Sequence, residues 1–402
     1  MTDSLRCYRC RESSPRSAGA RCACGEALWF DVDADDFDPG GHADRSGIGR
    51  YLDLLPVDDL RGLASAAGGT PLIRTDRLDD FAGCRTWVKD EGEHPTGSFK
   101  DRGSAVGVAD ALARGCSAVG TVSHGNMAMS VAAHAAAVDL DCAVLVPADI
   151  PSERLAIIDQ YGPEILRIDG DYGRLYEESL RVGNDLGIEF LNSDVPLRVA
   201  GQKTTTLELV DAFRPSAPDA VVMPISSGGH ASGAWKALRD LRDCGALPST
   251  PKLCFVQAAA CDPVATAFRN GSETVSPATG GETIAYSIAN ADPPSGTRAL
   301  AAARATDGAV VSVDDDEIRD AKARLARDAG LCVETASATT LAGTRRLVAE
   351  GVLAPDDRVA LVATGSGFKE STVTGGERAT AVPLADLDAT LAARFGYWGD
   401  ES

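Results

Sequence analysis

The sequence of 402 residues carries a formal net charge of −20, because 59 acidic side chains outnumber 39 basic ones. This balance argues against a surface for DNA or RNA, which needs clustered positive charge, and the length predicts two domains and an appendage rather than one core. No apolar run approaches the roughly 18 residues of a membrane helix, and the polar residues 1–6 do not begin a signal peptide, so we expect a cytoplasmic protein.

Four of the eleven cysteines lie close together near the N-terminus. Cys7-x2-Cys10 is followed, after eleven residues, by Cys22-x-Cys24, and Gly25 allows a tight turn beside the second pair. Four thiolates on two turns suit a tetrahedral metal ion, most simply zinc. The spacing of the second pair is shorter than usual for such sites, so two alternatives stay open: a chance grouping, and a head that binds a partner or nucleic acid.

The segment 31–69 is acidic and rich in glycine, which predicts a loop, and the alternating run 85–91 predicts a strand. That strand leads into Pro95-Thr96-Gly97-Ser98-Phe99-Lys100-Asp101-Arg102-Gly103 and a helix over 104–113, which Thr96 or Ser98 would cap. Lys100 is one of only seven lysines. An amine at a helix start can react with a carbonyl group when burial or a nearby cation lowers its pKa. The alternative is a surface lysine in a capped turn.

Strands and helices alternate in the next part of the chain. A strand over 118–121 runs into the polar turn Ser123-His124-Gly125-Asn126-Met127-Ala128 and then a helix over 130–138. The amides of this turn and its Asn side chain are suited to bind a carboxylate, although ordinary turns between a strand and a helix look similar. Two further units predict right-handed crossovers and a parallel sheet. Their strands are at 142–147 and 165–168, and their helices at 152–161 and 172–186.

A second glycine-rich turn follows a buried strand in the second half of the chain. The strand 220–225 precedes Ser226-Ser227-Gly228-Gly229-His230-Ala231-Ser232-Gly233 and a helix from Ala234. Glycines let the backbone approach a dianion, and the amides at a helix start favour a phosphate. The spacing differs from that of a dinucleotide fingerprint. A last strand, 359–363, ends at Thr364.

The motif 95–103 resembles the lysine motif of the tryptophan-synthase-β-like, or fold type II, pyridoxal-phosphate enzymes, and most of all that of threonine synthases. The resemblance implies that Lys100 bonds covalently to pyridoxal phosphate. It also implies that Asn126 hydrogen-bonds the 3'-oxygen of the cofactor and that Thr364 lies against its pyridine nitrogen. The cofactor phosphate is expected on the turn formed by Ser226, Ser227, Gly228, Gly229 and His230.

The resemblance extends over most of the chain and implies an α/β fold of type II, with two doubly wound domains of mainly parallel sheets and a small zinc-ribbon-like head. The head is expected at 1–30, the large cofactor-binding domain at 31–105 and 199–402, and the small mobile domain at 106–198. The segment 334–338 resembles a family loop near the active site. Substrate contacts are expected from Thr96, Ser98, Ser123, His124, Gly125, Asn126 and Met127.

The family reaction would be that of threonine synthase, in which O-phosphohomoserine and water give threonine and phosphate. Met127, Val195 and Glu177 depart from the family pattern for binding the substrate phosphate, although Arg174 and Arg181 flank the glutamate. A glutamate at that position would repel a dianion. Elimination or replacement on threonine, serine or phosphoserine is therefore a second interpretation. A zinc-ribbon interaction protein without catalytic activity is a third.

Three further expectations concern the protein as a whole. His124 and His230 are unusual in the two turns and are either structural or acid–base groups. The acidic composition with few lysines predicts a protein that is stable in concentrated salt. The expected partners are a small amino-acid substrate and a second copy of the chain in a homodimer, with neither nucleic acid nor membrane.

Overall fold

The computed structural model describes residues 4–32, 37, 45–150, 152–170, 172–370 and 379–396. Part of the acidic segment 31–69, predicted as a loop, lies outside the described residues, and short 3-10 turns lie at 47–54 and 62–66 within it. Residues 1–369 form one compact unit and residues 370–402 form a second. Among the described residues, no helix is both long enough and apolar enough to cross a membrane.

Strands and helices alternate along most of the first unit, whereas the last helix belongs to the second. The strands are β1 (Ser4–Cys7), β2 (Ser13–Pro15), β3 (Leu28–Phe30), β4 (Leu72–Arg74), β5 (Arg85–Asp90), β6 (Ala118–Val122), β7 (Asp141–Pro147), β8 (Glu164–Ile168), β9 (Ile188–Phe190), β10 (Ala220–Pro224), β11 (Lys252–Ala258), β12 (Val310–Val313) and β13 (Arg358–Ala363). The helices are α1 (Asp79–Ala82), α2 (Lys100–Arg114), α3 (Asn126–Ala136), α4 (Ser152–Asp159), α5 (Tyr172–Leu186), α6 (Pro196–Gln202), α7 (Thr204–Ala212), α8 (Gly229–Asp243), α9 (Pro263–Arg269), α10 (Gly296–Ala305), α11 (Asp315–Ala329), α12 (Thr335–Ala349) and α13 (Leu387–Phe395).

The larger sheet has the strand order β12-β11-β10-β13-β5-β4. Its neighbours are parallel except for β4, which pairs antiparallel with β5. Every residue of β10 is buried, as expected for a central parallel strand that is covered on both faces. Val221 and Met223 belong to an apolar cluster with α7, α8 and α10, whereas Val222 belongs to one with α11 and α12. Helices therefore cover both faces of this sheet.

The smaller sheet has the order β8-β7-β6-β9, and all of its neighbours are parallel. Its strands lie within a residue or so of the runs that the sequence predicted at 118–121, 142–147 and 165–168. The prediction of a parallel sheet built from strand–helix units is therefore confirmed. The predicted boundaries of the domains stay a prediction.

The N-terminal residues 4–30, hereafter the head, form an antiparallel sheet of order β2-β1-β3 that packs against α8. Trp29 Nε1 donates to Ser232 Oγ at 2.8 Å, and the Trp29 and Trp235 rings meet edge to face with centroids 5.5 Å apart. Tyr8 packs against both rings. The guanidinium of the fully buried Arg298 donates to two backbone oxygens of the head. Aromatic packing and a hydrogen bond thus fix the head to α8, and the bonds of Arg298 fix it to α10.

Several helices begin earlier than the sequence predicted, among them α2 at Lys100 rather than 104 and α3 at Asn126 rather than 130. Helix α8 begins at Gly229 rather than Ala234, because Gly228 at φ +85° takes the N-cap position. Helix α12 begins at Thr335, so the segment 334–338, predicted as a loop, is the first turn of a helix. In the second unit, the described residues form a 3-10 turn at Leu384–Asp386 followed by α13.

Candidate active site

Four loops follow the carboxyl ends of β5, β6, β10 and β13, and contacts between them define one site. Ser98 and Gly365 form an isolated antiparallel bridge. Phe99 N donates to Thr364 O at 3.0 Å. The loop that carries the predicted reactive lysine therefore pairs, backbone to backbone, with the loop after β13.

Phe99 and His230 join the lysine loop to the glycine-rich turn after β10. Their rings stack with centroids 4.0 Å apart and an interplanar angle of 9°. His230 Nε2 lies 3.0 Å from Thr205 Oγ1, and burial lowers the pKa of His230 to about 3. The imidazole is therefore neutral, and its stacked position favours a structural role over an acid–base one.

Lys100 is the first residue of α2 and lies between these loops. Its amine stands 4.2 Å from the centroid of the Phe99 ring. Burial and the positive charge of Arg198 lower the pKa of Lys100 to about 7, whereas Glu334 acts in the opposite direction. Arg198 is fully buried and donates to Lys100 O at 3.3 Å and to Ser104 Oγ at 3.0 Å. The lysine thus has the environment of an activated nucleophile.

Gly228 and Gly229 form a glycine cradle at the start of α8. A Cβ on either residue would come within 2.5 Å of a backbone oxygen, so a side chain at either position would clash. The 15-residue helix presents its first amides and the positive end of its dipole here. The half-buried Ser226 and Ser227 precede the cradle. This donor set suits a phosphate dianion.

Glu334 links the two residues that the family resemblance assigns to the ring of the cofactor. Thr364 Oγ1 donates to Glu334 Oε1 at 2.8 Å, and Asn126 Nδ2 donates to Glu334 Oε2 at 2.7 Å. Ser337 Oγ lies 3.0 Å from Thr364 Oγ1 and accepts a hydrogen bond from Gly365 N at 3.2 Å. The carboxylate of Glu334 therefore bridges Thr364 and Asn126, with one hydrogen bond to each of its two oxygens.

The predicted cap of α2 by Thr96 or Ser98 is wrong. The N-cap is Phe99, without a side-chain hydrogen bond, and Ser98 Oγ is buried with no hydrogen-bond partner among the described residues. Thr96 instead donates to Asp101 through its hydroxyl at 2.5 Å and through its amide at 2.8 Å. Ser130 Oγ donates to the same carboxylate at 2.6 Å. The buried Asp101 therefore fixes the loop to α2 and α3.

Arg102 anchors α2 within a buried cluster of charges. Its Nε donates to Glu91 at 2.6 Å, its Nη1 to Glu208 at 2.7 Å, and its Nη2 to each carboxylate at 2.8 Å. Lys89 Nζ lies 2.7 Å from Glu208. Buried charges are tolerated when they are paired and hydrogen-bonded on all sides. The charges of two acidic and two basic side chains cancel here. Their ion pairs hold α2, the helix that begins at Lys100, against α7 and the end of β5.

The other predicted substrate residues follow β6. Ser123, His124 and Gly125 are half-buried, and Gly125 N donates to Ser123 Oγ at 3.3 Å. Gly125 takes the N-cap position of α3. Met127 is buried in an apolar cluster with residues of α2 and α6, so its side chain packs in the core.

The remaining departures from the family pattern lie in the same half of the chain. Val195 is buried at the N-cap of α6, and Glu177 is exposed on α5. Arg181 pairs with Glu178 at 2.9 Å and with Asp185 at 3.2 Å. Val195 and Glu177 carry no positive charge. Within the described residues, the ion pairs that we observe for Arg181 are with neighbours on α5 and not with the four loops.

The four cysteines of the head converge as the sequence predicted. Their Sγ atoms all lie within 4.8 Å of one another, with 3.6 Å from Cys7 to Cys24 and 3.5 Å from Cys10 to Cys22. Four sulfurs at about 2.3 Å from a tetrahedral zinc ion are about 3.8 Å apart. Gly25, at φ +87°, closes the turn by donating its amide to Cys22 O at 2.8 Å. The geometry is therefore compatible with a metal ion.

Sequence reasoning missed Lys369 as a residue of the site. Its Nζ donates to Asn126 Oδ1 at 2.7 Å and to Thr96 O at 3.1 Å. The sequence did contain a signal for it. Lys369, like Lys100, is one of few lysines and lies in a loop after a predicted strand. The buried Asp101 and Arg198 were also missed, since only the folded chain brings them to the lysine.

Comparisons with known proteins identify the family of the chain. Residues 63–365 match the family of pyridoxal-phosphate dependent enzymes. The threonine synthase of Methanocaldococcus jannaschii is 34% identical over 357 residues, covering 87% of this chain and 88% of that one. The threonine synthase of Mycobacterium leprae is 37% identical over 326 residues, covering 80% and 88%.

A comparison of structures gives the same fold. Serine racemase from Dictyostelium discoideum matches with a TM-score of 0.63 and 24% identity, covering 74% of this chain and 92% of that one. At this identity the likeness establishes the fold alone, and the sequence relatives establish the family. The chain belongs to the threonine synthase family of pyridoxal-phosphate dependent enzymes.

Proposed function

We propose that this chain is a threonine synthase, which converts O-phosphohomoserine and water to threonine and phosphate. The observation that carries the proposal is the activated amine of Lys100, with a pKa of about 7, among the glycine cradle, Asn126 and Thr364. The amine suits an aldehyde, the cradle a phosphate, and the hydroxyl of Thr364 a ring nitrogen, so this donor set fits pyridoxal phosphate. When bound, that cofactor supplies an electron sink for the Cα of an amino acid.

The proposed reaction requires protons to move between neighbouring carbons of the substrate. We expect Lys100 to take protons at Cα and Cβ, to deliver one to Cγ and to return the other to Cα. Phosphate leaves Cγ with the electrons of the carbon–oxygen bond. The hydroxyl of a water molecule adds at Cβ, and its remaining proton goes to the released phosphate. An amine with a pKa of about 7 can accept and donate protons near neutral pH. The amides of the turn 123–126 are expected to hold the α-carboxylate.

A second candidate is elimination or replacement on threonine, serine or phosphoserine. Three observations favour it: Met127 and Val195 are buried apolar residues, and Glu177 is acidic. None of the three side chains supplies the positive charge that would select a phosphate on the substrate. We rank this reaction second because the relatives described above are named threonine synthases and match most of the chain.

Assays of the purified protein with pyridoxal phosphate distinguish the candidates. Release of phosphate and threonine from O-phosphohomoserine is expected. Release of ammonia and a 2-oxo acid from threonine or serine would establish the second candidate instead. Lys100→Ala should abolish activity, and Lys252→Ala, at the amino end of β11, should retain it. Protein that stays colourless with the cofactor, or borohydride fixation of the cofactor on another lysine, would refute the proposal.

We also propose that Cys7, Cys10, Cys22 and Cys24 hold one structural zinc ion. Four sulfur ligands leave no open position for a substrate, which is the pattern of structural rather than catalytic zinc. Purified protein is expected to contain one zinc ion per chain and to lose it in Cys22→Ser. Cys332→Ser, which changes an exposed cysteine outside the cluster, serves as the control. Full zinc content in Cys22→Ser would refute this assignment.

The homodimer also stays a prediction, based on the family resemblance. Light scattering of the purified protein measures the mass of the assembly directly. A mass of one chain at working concentration would contradict it.

A further inference from the structure

Lys369 ends the short 3-10 turn Gly367–Lys369 that follows β13. Its side chain passes over Gly97, where a Cβ would lie 3.3 Å from both Cε and Nζ of the lysine. Gly97 also has a φ of +72°, a conformation that favours glycine. The glycine inside the lysine motif therefore leaves room for the amine of Lys369 beside the site.

The hydrogen bonds of Lys369 define the orientation of the Asn126 carboxamide. An ammonium group carries donors only, so the atom that faces it at 2.7 Å must be the oxygen Oδ1. The nitrogen Nδ2 then points the other way and donates to Glu334 Oε2 at 2.7 Å. An ionised carboxylate only accepts, so this second contact requires the same orientation.

We propose that Lys369 is a positioning residue that holds the Asn126 carboxamide with Nδ2 as the donor toward the 3'-oxygen of pyridoxal phosphate. The inference rests on the proposed function. The oxygen and nitrogen of a carboxamide have nearly the same shape, so only its partners decide which of them faces the cofactor. A rotated carboxamide would set its oxygen against the 3'-oxygen, and two acceptors would then face each other. The positive charge of Lys369 beside Asn126 also favours negative charge on that oxygen.

Lys369→Met tests the proposal, because it keeps most of the side chain and removes the donors and the charge. Pyridoxal phosphate is expected to bind the apoprotein about tenfold more weakly, the effect of one hydrogen bond to a charged group. The pH midpoint of the visible absorption of the bound cofactor is expected to rise, since loss of a nearby cation favours the protonated chromophore. Lys369→Arg restores donors and charge and should return both values toward those of the wild type.

Lys252→Met is the matched control. The amine of Lys252 is half-buried and donates to Val352 O at 2.6 Å, at the amino end of β11 and away from the four loops. This variant should leave the affinity for the cofactor and the pH midpoint unchanged. Equal values for Lys369→Met and Lys252→Met would overturn the proposal.

A double variant separates positioning from direct contact. In an Asn126→Ala background there is no carboxamide to orient, so adding Lys369→Met should weaken binding by less than about twofold. A full additional loss in that background would show that the lysine acts on the cofactor directly and would overturn the positioning role. Wild-type protein that binds no pyridoxal phosphate would overturn the proposed function itself, which keeps the two failures distinguishable.

Discussion

The lowered pKa of Lys100 predicts how the apoprotein captures pyridoxal phosphate as the pH changes. With a pKa of about 7, about nine in ten Lys100 side chains are neutral at about pH 8, whereas an ordinary lysine with a pKa of about 10.4 would be about 0.4% neutral. The neutral amine is the reacting form, so this difference corresponds to a capture rate that is roughly 200-fold higher. The rate should rise about tenfold per pH unit below about pH 6 and become constant above about pH 8.

Arg198→Met tests how much the positive charge of Arg198 adds to the effect of burial on the pKa of Lys100. Removal of the buried cation favours the protonated amine, so the pKa of Lys100 should rise and capture at about pH 7 should slow. Arg198→Lys keeps a positive charge and should stay closer to the wild type. Stopped-flow absorption after mixing apoprotein with the cofactor measures the rate at each pH. An inflection near pH 10 (about the ordinary value) in the wild type, or the same inflection in both variants, would refute the reasoning.

Three other predictions concern stability. Arg102→Met should lower the free energy of unfolding by about 3–5 kcal/mol in denaturant titrations, because Glu91 and Glu208 would stay buried without their main partner. Removal of the proposed zinc ion by a chelator should lower the Tm and shift the tryptophan fluorescence toward that of an exposed indole, because Trp29 packs the head against α8. Raising the salt concentration from about 0.1 M to about 2 M should raise the Tm, because screening reduces the self-repulsion of a net charge of −20.

Each of these predictions has a control or a contrary outcome. Arg319→Met removes an exposed pair with Asp316 and should cost less than about 1 kcal/mol, so an equal loss in the two arginine variants would contradict the role of burial. A Tm and a fluorescence spectrum that do not respond to the chelator would contradict the contribution of the metal to the head. A Tm that does not depend on salt would contradict the argument from charge.

The position of the site could be predicted from the sequence. Short apolar runs that end in glycine, serine or threonine predicted strands, and the carboxyl ends of parallel strands meet where ligands bind in doubly wound sheets. Lys100 and Thr364 are far apart in the chain but lie on adjacent loops, where the amide of Phe99, next to Lys100, donates to Thr364 O. The glycine cradle could also be predicted, because a glycine such as Gly228 can take a positive φ wherever it stands in the sequence.

The hydrogen bonds inside the site could not be predicted in this way. Glu334 bonds a residue 208 positions away and Lys369 one 243 positions away, and no local pattern specifies such contacts. The cap assigned to Thr96 was wrong because Asp101 competes for the same hydroxyl. Met127 stands next to a polar turn in the sequence, but it lies on α3, and the direction of its side chain there depends on packing against α2 and α6.

If the four cysteines hold zinc as proposed, the attachment of the head to α8 couples the metal site to the cofactor site. Trp29 holds Ser232 in the first turn of the helix whose start forms the glycine cradle, so order at the cysteines and order at the cradle support each other. By thermodynamic reciprocity, any factor by which bound zinc strengthened retention of the vitamin B6 cofactor would also be the factor by which the cofactor strengthened retention of zinc. Zinc scarcity would then raise the amount of vitamin needed to keep the enzyme loaded.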